Sequence, residues 1–467
     1  MTEGIAVRSR LLAGSAALAV AASGVGAQSV PRRDTVVAIT HVAVVDVERG
    51  RVLPDRTVLV RDGRIDDVGP AEAVSVPPGA RIVDGRSRWL IPGLWDMHTH
   101  TVGPSSEQLL PVYVACGVTG VRDMGTDLDV LRRERERVRA GQAVGPRIVM
   151  AGPILDGPIG VAMPAAHRRW RIELTDPARA RLVVDSMARA GADFIKVHER
   201  LSPAVYRAIA DQARRARLPF AGHVPTTVGP RAAVDAGQGT VEHLVNVPLP
   251  CTRAESASLR ARTPLEAIFG RCTSDDLAPL YRLFARSGLR HTPTLVVQQE
   301  IALRPEVQRV DPGERYVPLP VRAMMHEVGP FGGPVPPDYV RRRLRALFDK
   351  RVTQTGAMHR AGVPLLVGTD APAVAPGRSV HEELRLLVRA GLGPADALRA
   401  ATLEPARWLR ATDSLGAVAR GRRADLVLLD VDPLADIGNT TRIRLVVADG
   451  RVYDRSALDT LLARAAR

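Results

Sequence analysis

The sequence predicts an α/β fold, a (β/α)8 barrel carrying a small β domain built from both ends of the chain. Two β-rich segments, 35–88 and 412–455, flank a long middle region, 89–411, in which strand-like and helix-like runs alternate. Within that region, residues able to bind metals stand at or just past the ends of short apolar runs. In a barrel of this type the strand ends gather at one face, and the chemistry sits there.

The elements follow in order. Arg8 and Arg10 precede an apolar run over 11–20, and Ser23-Gly24-Val25-Gly26-Ala27-Gln28 comes next. A charged head, a short apolar stretch and small residues before a cut predict a signal peptide over 1–27, cleaved after Ala27, and hence a periplasmic or secreted protein. The stretch is shorter than the roughly 20 residues a membrane span needs. No later segment is long and apolar enough, so no stable membrane span is expected after cleavage.

From Thr35 to Asp84, β-branched runs alternate with turns such as Arg61-Asp62-Gly63-Arg64, as antiparallel strands require. Residues 424–430 and 444–452 read alike, and 447–452 nearly echoes 60–65. Two distant β segments with like turns make one sheet domain most simply. Barrel strands are expected at 89–95, 118–122, 147–151, 194–197, 219–221, 239–242, 292–297 and 364–367, with helices between most of them, at 177–190, 203–217 and 230–236 among others. Two insertions stand out. Residues 247–290 read as mostly helical, and 304–339, rich in Pro and Gly, as a lid or binding loop.

The 65 Lys and Arg residues outnumber 50 Asp and Glu, giving a formal charge of +15. Such a field can draw nucleic acid, anionic membrane or acidic substrates. The arginines, however, are spread through helix-like segments beside acids, which describes solvated helix faces, and no nucleic-acid motif is present. Of three cysteines, Cys116 reads as a core residue; export permits a disulfide between Cys251 and Cys272.

Only two of the basic residues are lysines, and one of them, Lys196, lies inside the apolar run 192–198. Codon bias in a GC-rich genome accounts for the arginines. A lysine kept in a strand against that background invites a chemical reading. Its amine can lose a proton and react with CO2 to form a carbamate that bridges two metals, which a guanidinium cannot do. His98 and His100 close an earlier apolar run, and His223, His243 and Asp370 follow later ones. In His-x-His on a strand both imidazoles face one side, so both can converge on one ion. Singly, each residue has a plain reading: an incidental His-x-His, a core His243, a snorkelling Lys196. All six in this order at strand ends point to a site. Arg122 ends the second strand, where it either meets an anionic substrate group or pairs with Asp123 or another acid. His198 shares a face with Lys196 and is either a substrate contact or a packing residue. Asn246, just beyond His243, lines the pocket in this reading; His291 and His381 stay outside the metal shell.

Residues 92–100, ending in His98-Thr99-His100, closely resemble the first metal motif of the amidohydrolase superfamily. Residues 117–123, Val241-Glu242-His243, Gly368-Thr369-Asp370-Ala371 and 421–427 resemble its later landmarks, so the likeness covers nearly the whole mature chain, to the imidazolonepropionase-like and dipeptidase-like branch. His198 and the Ala-Gly-His-Val-Pro context of His223 depart from the best-known dipeptidase motifs. The resemblance implies a distorted (β/α)8 barrel plus a small β-sandwich. It also implies that His98, His100 and Asp370 bind the more buried of two metals, His223 and His243 the second, and a carbamate on Lys196 both. Such donors suit Zn2+, with Mn, Co or Fe compatible by ligand type. The expected activity is cleavage of amide or peptide C–N bonds by a metal-bridged hydroxide, with Asp370 as general base and then acid. Readings held beside it are a mononuclear deaminase or cyclic-amide hydrolase, a lactonase or esterase, and a non-catalytic exported binding protein. The expected partner is a small molecule or short peptide, not a nucleic acid, and a homo-oligomer stays open.

Overall fold

The computed structural model describes residues 36–100, 103, 105–159, 168, 170–243, 274–303, 313–319, 321–322 and 338–466. The expected signal peptide, Cys251, Cys272, Asn246 and most of the expected lid at 304–339 lie outside these residues.

β-branched residues separated by tight turns form the first strands: β1 (Val36–Asp46), β2 (Arg51–Arg61), β3 (Arg64–Pro70), β4 (Arg81–Asp84) and β5 (Trp89–Pro92). The chain then passes through β6 (Leu94–Thr99), β7 (Val118–Asp123), β8 (Arg147–Met150), β9 (Ile154–Asp156), β10 (Arg171–Glu173), β11 (Ile195–Val197), β12 (Phe220–Gly222), β13 (Thr240–Glu242) and β14 (Arg290–Thr292). It returns to the first region with β15 (Leu426–Leu429), β16 (Ile443–Ala448) and β17 (Arg451–Asp454).

Both ends of the chain meet in one eight-stranded sheet, ordered β17-β16-β15-β5-β1-β2-β3, with β4 beside β1. Hydrogen bonding links all eight of these strands into one continuous sheet. β1 is long enough, and broken enough in register around Val42, to pair with β2, β4 and β5 at once. Val37, Ile39, Val58, Leu90, Leu426 and Val447 from both chain ends share one apolar core there.

The middle region forms two runs of parallel strands, β6-β7-β8 and β9-β11-β12-β13-β14, with β10 added outside β9. Segment 364–371 joins their ends: Leu365 bridges to His291 and Ala371 to Thr99. Helices Ser106–Ala115, Leu128–Arg139, Pro177–Arg189, Pro203–Arg215, Pro230–Asp235, Ser274–Ser287, Asp338–Arg360 and Arg378–Arg389 intervene. Asp127, Asp176 and Ser202 cap three of them by accepting from backbone N–H groups of the first turn. Their apolar faces and the strands share one large core.

Three expected strands need correction. The run at 364–367 forms no strand, only an isolated bridge from Leu365 to His291. The run at 89–95 is two strands in two sheets, divided at Gly93, whose N–H donates to the Asp425 carbonyl at 2.8 Å. A Cβ at Gly93 would stand 2.1 Å from Thr119 Oγ1, so only glycine permits the close crossing. The run at 292–297 is a strand only up to Thr292; helix Leu295–Leu303 follows. Pro293 has no N–H to give a ladder, Thr294 turns the chain at φ 48°, and the Glu383 carboxylate accepts from Val296 N at 2.7 Å near the helix start.

Candidate metal centre

Four histidines from three strand ends converge. His98 lies on β6 and His100 just beyond it; His223 follows β12 and His243 follows β13. Ring centroids are 5.4 Å apart for His98 and His100, 4.3 Å for His98 and His243, and 5.0 Å for His223 and His243. In each ring Nδ1 is held by an oxygen. His98 Nδ1 donates to Glu242 Oε2 at 2.8 Å and His100 Nδ1 to the Gly125 carbonyl at 3.1 Å. His223 Nδ1 donates to Glu199 Oε1 at 2.8 Å. His243 Nδ1 lies 2.7 Å from Thr294 Oγ1, which gives its own proton to the Pro293 carbonyl and therefore accepts here. All four rings thus carry their proton on Nδ1 and present the Nε2 lone pair, the arrangement a metal-binding imidazole needs.

The remaining donors fit. His98 Nε2 is buried with no hydrogen-bond partner, 3.4 Å from Asp370 Oδ1, and His100 Nε2 lies 3.5 Å from the same oxygen. One donor atom from each of the three falls within 4.8 Å of the others. Two imidazoles and a carboxylate at this spacing are a donor set suited to Zn2+ or a similar cation. Burial holds all four imidazoles well below the usual histidine pKa, so they stay neutral and able to ligate. Asp370 sits in the left-handed region at φ 62°, and burial raises its carboxyl to about 7, opposed by the Lys196 charge.

Lys196 is central in β11 and 1% exposed. Its charge helps to lower the pKa of all four histidines, so the amine lies within electrostatic reach of the cluster. Burial brings its pKa down to about 8, against the pull of Glu242 and Asp370. An amine so poised is un-ionised often enough to be a nucleophile towards CO2.

Beneath the histidines the ring is filled by an ion pair. Arg122, wholly buried, reaches from β7 across the interior: Nε donates to the Met97 carbonyl at 2.6 Å, Nη1 to Thr240 Oγ1 at 3.1 Å and Nη2 to Glu242 Oε1 at 2.9 Å. Its guanidinium packs over the Trp408 ring at 4.6 Å. Arg122 is therefore no substrate contact, and its acid is Glu242 rather than Asp123. Neighbouring residues on a strand point to opposite faces, so Arg122 and Asp123 are kept apart. Glu242 binds Arg122 and His98 together and stays ionised despite its burial, the Arg122 charge being the main opposing cause.

His198 stacks on His223 with centroids 4.1 Å apart, and its nitrogens face Asp156 and Arg171, so it packs within a polar network. His381 bridges Thr440 Oγ1 and the Cys116 carbonyl, a structural role. His291 points away from the cluster into a wholly buried position beside Phe284. Sequence reasoning missed Glu242, Glu199, Thr294 and Asp96. Asp96 accepts from Thr369 Oγ1 at 2.6 Å and Thr369 N at 3.0 Å, tying β6 to the Asp370 turn. An acid inside an apolar strand, as at Asp96 and Glu242, was the available signal, because a buried carboxylate must find donors.

An amidohydrolase-family model matches residues 319–453. The imidazolonepropionase of Stenotrophomonas maltophilia (strain R551-3) is 26% identical over 425 residues, 86% of this chain and 93% of that protein. A dihydroorotase of Anaeromyxobacter dehalogenans (strain 2CP-C) is 41% identical over 71 residues, but the match spans only 16% of its length and 14% of this chain. Among solved structures, a bottromycin amidohydrolase superposes with a TM-score of 0.74 at 27% identity, covering 93% of this chain and 91% of its own. The α/β fold with parallel sheets is thus of the TIM-barrel type these proteins share.

Proposed function

We propose, from the premise that this chain belongs to the amidohydrolase superfamily, that it is a metal-dependent hydrolase of amide or peptide C–N bonds. The observation that carries this reading is the common orientation of four imidazoles, each with Nδ1 held by an oxygen and Nε2 turned to the cluster. In this reading His98, His100 and Asp370 would hold one cation, His223 and His243 would hold a second, and Lys196, if carboxylated, would offer its oxygens to both. Cations so held supply a Lewis acid for the scissile carbonyl and acidify water to near neutral pH.

The chain's own residues do the rest. Asp370, 28% exposed and flanked by His98 and His100, faces the place where water and substrate meet in this reading. Burial gives its carboxyl a proton affinity suited to taking a proton from water and passing it to the leaving nitrogen. Glu242 and Arg122 fix His98 from below and Asp96 fixes the Asp370 turn, so the acceptor and the ligands do not reorganise during reaction.

Lys196→Ala tests the reading. Wild-type protein loaded with zinc and bicarbonate is expected to hold two metals and to cleave members of an N-acyl-amino-acid and dipeptide panel. The variant should fall towards one metal and lose more than the roughly 10–100-fold that an outer-shell partner commands. Full activity with two metals retained overturns the bridging role. A wild-type content of one metal, with deamination or ring opening in place of amide cleavage, favours a mononuclear deaminase or cyclic-amide hydrolase.

A further inference from the structure

Helix Leu295–Leu303 opens at Thr294, whose carbonyl accepts from Gln298 N at 3.4 Å. A threonine in that place ordinarily turns its hydroxyl to the N–H of the second or third helical residue. Thr294 does not. Its wholly buried Oγ1 donates to the Pro293 carbonyl at 2.8 Å and accepts from His243 Nδ1 at 2.7 Å. The N–H of the second helical residue, Val296, goes instead to Glu383 Oε2 at 2.7 Å. Glu383 is wholly buried and lies on helix Arg378–Arg389, 87 positions further along the chain.

Two demands therefore fall on one hydroxyl. A buried N–H without an acceptor is costly, so an unclaimed Val296 N–H would compete with His243 for Thr294 Oγ1. Glu383 answers the first demand and leaves the hydroxyl to the second. Thr294 also stands at φ 48°, a strained conformation for a β-branched residue that persists only where the surroundings hold it. The bond from Val296 to Glu383, two residues on, is part of that hold. The other three imidazoles depend on different oxygens, those of Glu242, Gly125 and Glu199.

We infer that Glu383 is a positioning residue for His243: it caps helix Leu295–Leu303 in place of Thr294 and so frees the Thr294 hydroxyl to hold the imidazole with Nε2 towards the cluster. Without Glu383, Oγ1 turns to Val296 N and His243 Nδ1 loses its acceptor. This rests on the reading of His243 as a metal ligand, and the test separates the two.

Histidine-selective 15N labelling of the full chain reads the tautomer of each ring without metal or substrate. Wild type should carry the His243 proton on Nδ1. In Glu383→Ala that signal should move towards the Nε2 tautomer, while those of His98, His100 and His223 stay. Glu383→Gln, whose amide oxygen still accepts from Val296 N, should keep the wild-type pattern. Glu383→Asp, one methylene shorter, gives the same shift in smaller measure where the alanine variant does not fold. In zinc titrations Glu383→Ala should bind the second equivalent about 10–100-fold more weakly, the range for loss of an outer partner, with the first unchanged. Thr294→Val should match it. The double variant Glu383→Ala/Thr294→Val should be no worse than Thr294→Val alone, because both changes remove one contact. Additive losses in the double variant, or a His243 tautomer that is the same with and without Glu383, overturns the inference. If wild type takes up no second zinc, the metal-ligand reading of His243 fails, and the tautomer alone decides the role of Glu383.

Discussion

Replacing Glu242 by leucine perturbs the centre from beneath, and the structure sets the size of the effect. Both Glu242 and its partner Arg122 are fully buried, and the guanidinium loses its one bonded carboxylate in the variant. Removing one partner of a buried ion pair costs about 3–5 kcal/mol, because the other charge stays in the interior uncompensated. A separate loss falls on His98, whose Nδ1 proton has no acceptor once Glu242 is gone. The ring is then free to turn or to change tautomer, and metal affinity should drop about 10–100-fold, or roughly 1.4–2.7 kcal/mol. The two effects can be separated. Thermal melting of metal-free protein reads the first, and competition with a chelator of known affinity reads the second. In the double variant Arg122→Met/Glu242→Leu the orphaned charge is also removed, so most of the melting temperature should return while the metal affinity stays low. The reasoning is refuted if the single variant melts with the wild type, or if the double variant recovers both properties together.

Two further outcomes are expected. Burial raises the Glu383 carboxyl from 4.5 to about 8, with one oxygen accepting from Val296 N and the other without a partner. Between those two pH values the folded chain holds a proton that the unfolded chain has released, so stability falls as pH rises through the window and is fully retained only below it. Glu383→Gln, neutral throughout and still offering an oxygen to Val296 N, should flatten that fall by up to a few kcal/mol; denaturant midpoints from pH 5 to 9 with unchanged slope count against it. Gly222 sits at φ 134°, and a Cβ there would meet the Val197 carbonyl oxygen at 2.1 Å. Gly222→Ala should therefore force β11 and β12 apart, at a cost of about 1–3 kcal/mol with Lys196 and His223 displaced. Elemental analysis should show reduced metal content, and a fully loaded, equally stable variant contradicts the account.

Much of the site could be read from the chain because its logic is local. His98-Thr99-His100 at the end of an apolar run, a single lysine inside a strand, and three later ligand-type residues at strand ends needed only the alternation of side chains to be placed on one face. The helices at Pro177–Arg189 and Pro203–Arg215 were equally legible, having an acidic or hydroxyl cap before a well-patterned run. Errors arose where local and long-range signals conflict. The β-branched run after Thr292 favours a strand by propensity, but Pro293 ends the ladder and Glu383, distant in sequence, supports a helix start. Trp89–Pro92 and Leu94–Thr99 read as one strand because nothing local shows that the first pairs with β15 and the second with β7.

From the residues alone come the identities of the candidate ligands, their order, and the fold type that collects strand ends at one face. Those depend on periodicity within a few residues. Tertiary structure decided which oxygen holds each imidazole, and the Glu242 carboxylate reaches His98 across 144 positions of sequence. It also placed Arg122 in the buried ring interior, paired with Glu242. Each of these depends on which strands become neighbours, and a hydrogen bond between distant residues has no period that a one-dimensional pattern can carry.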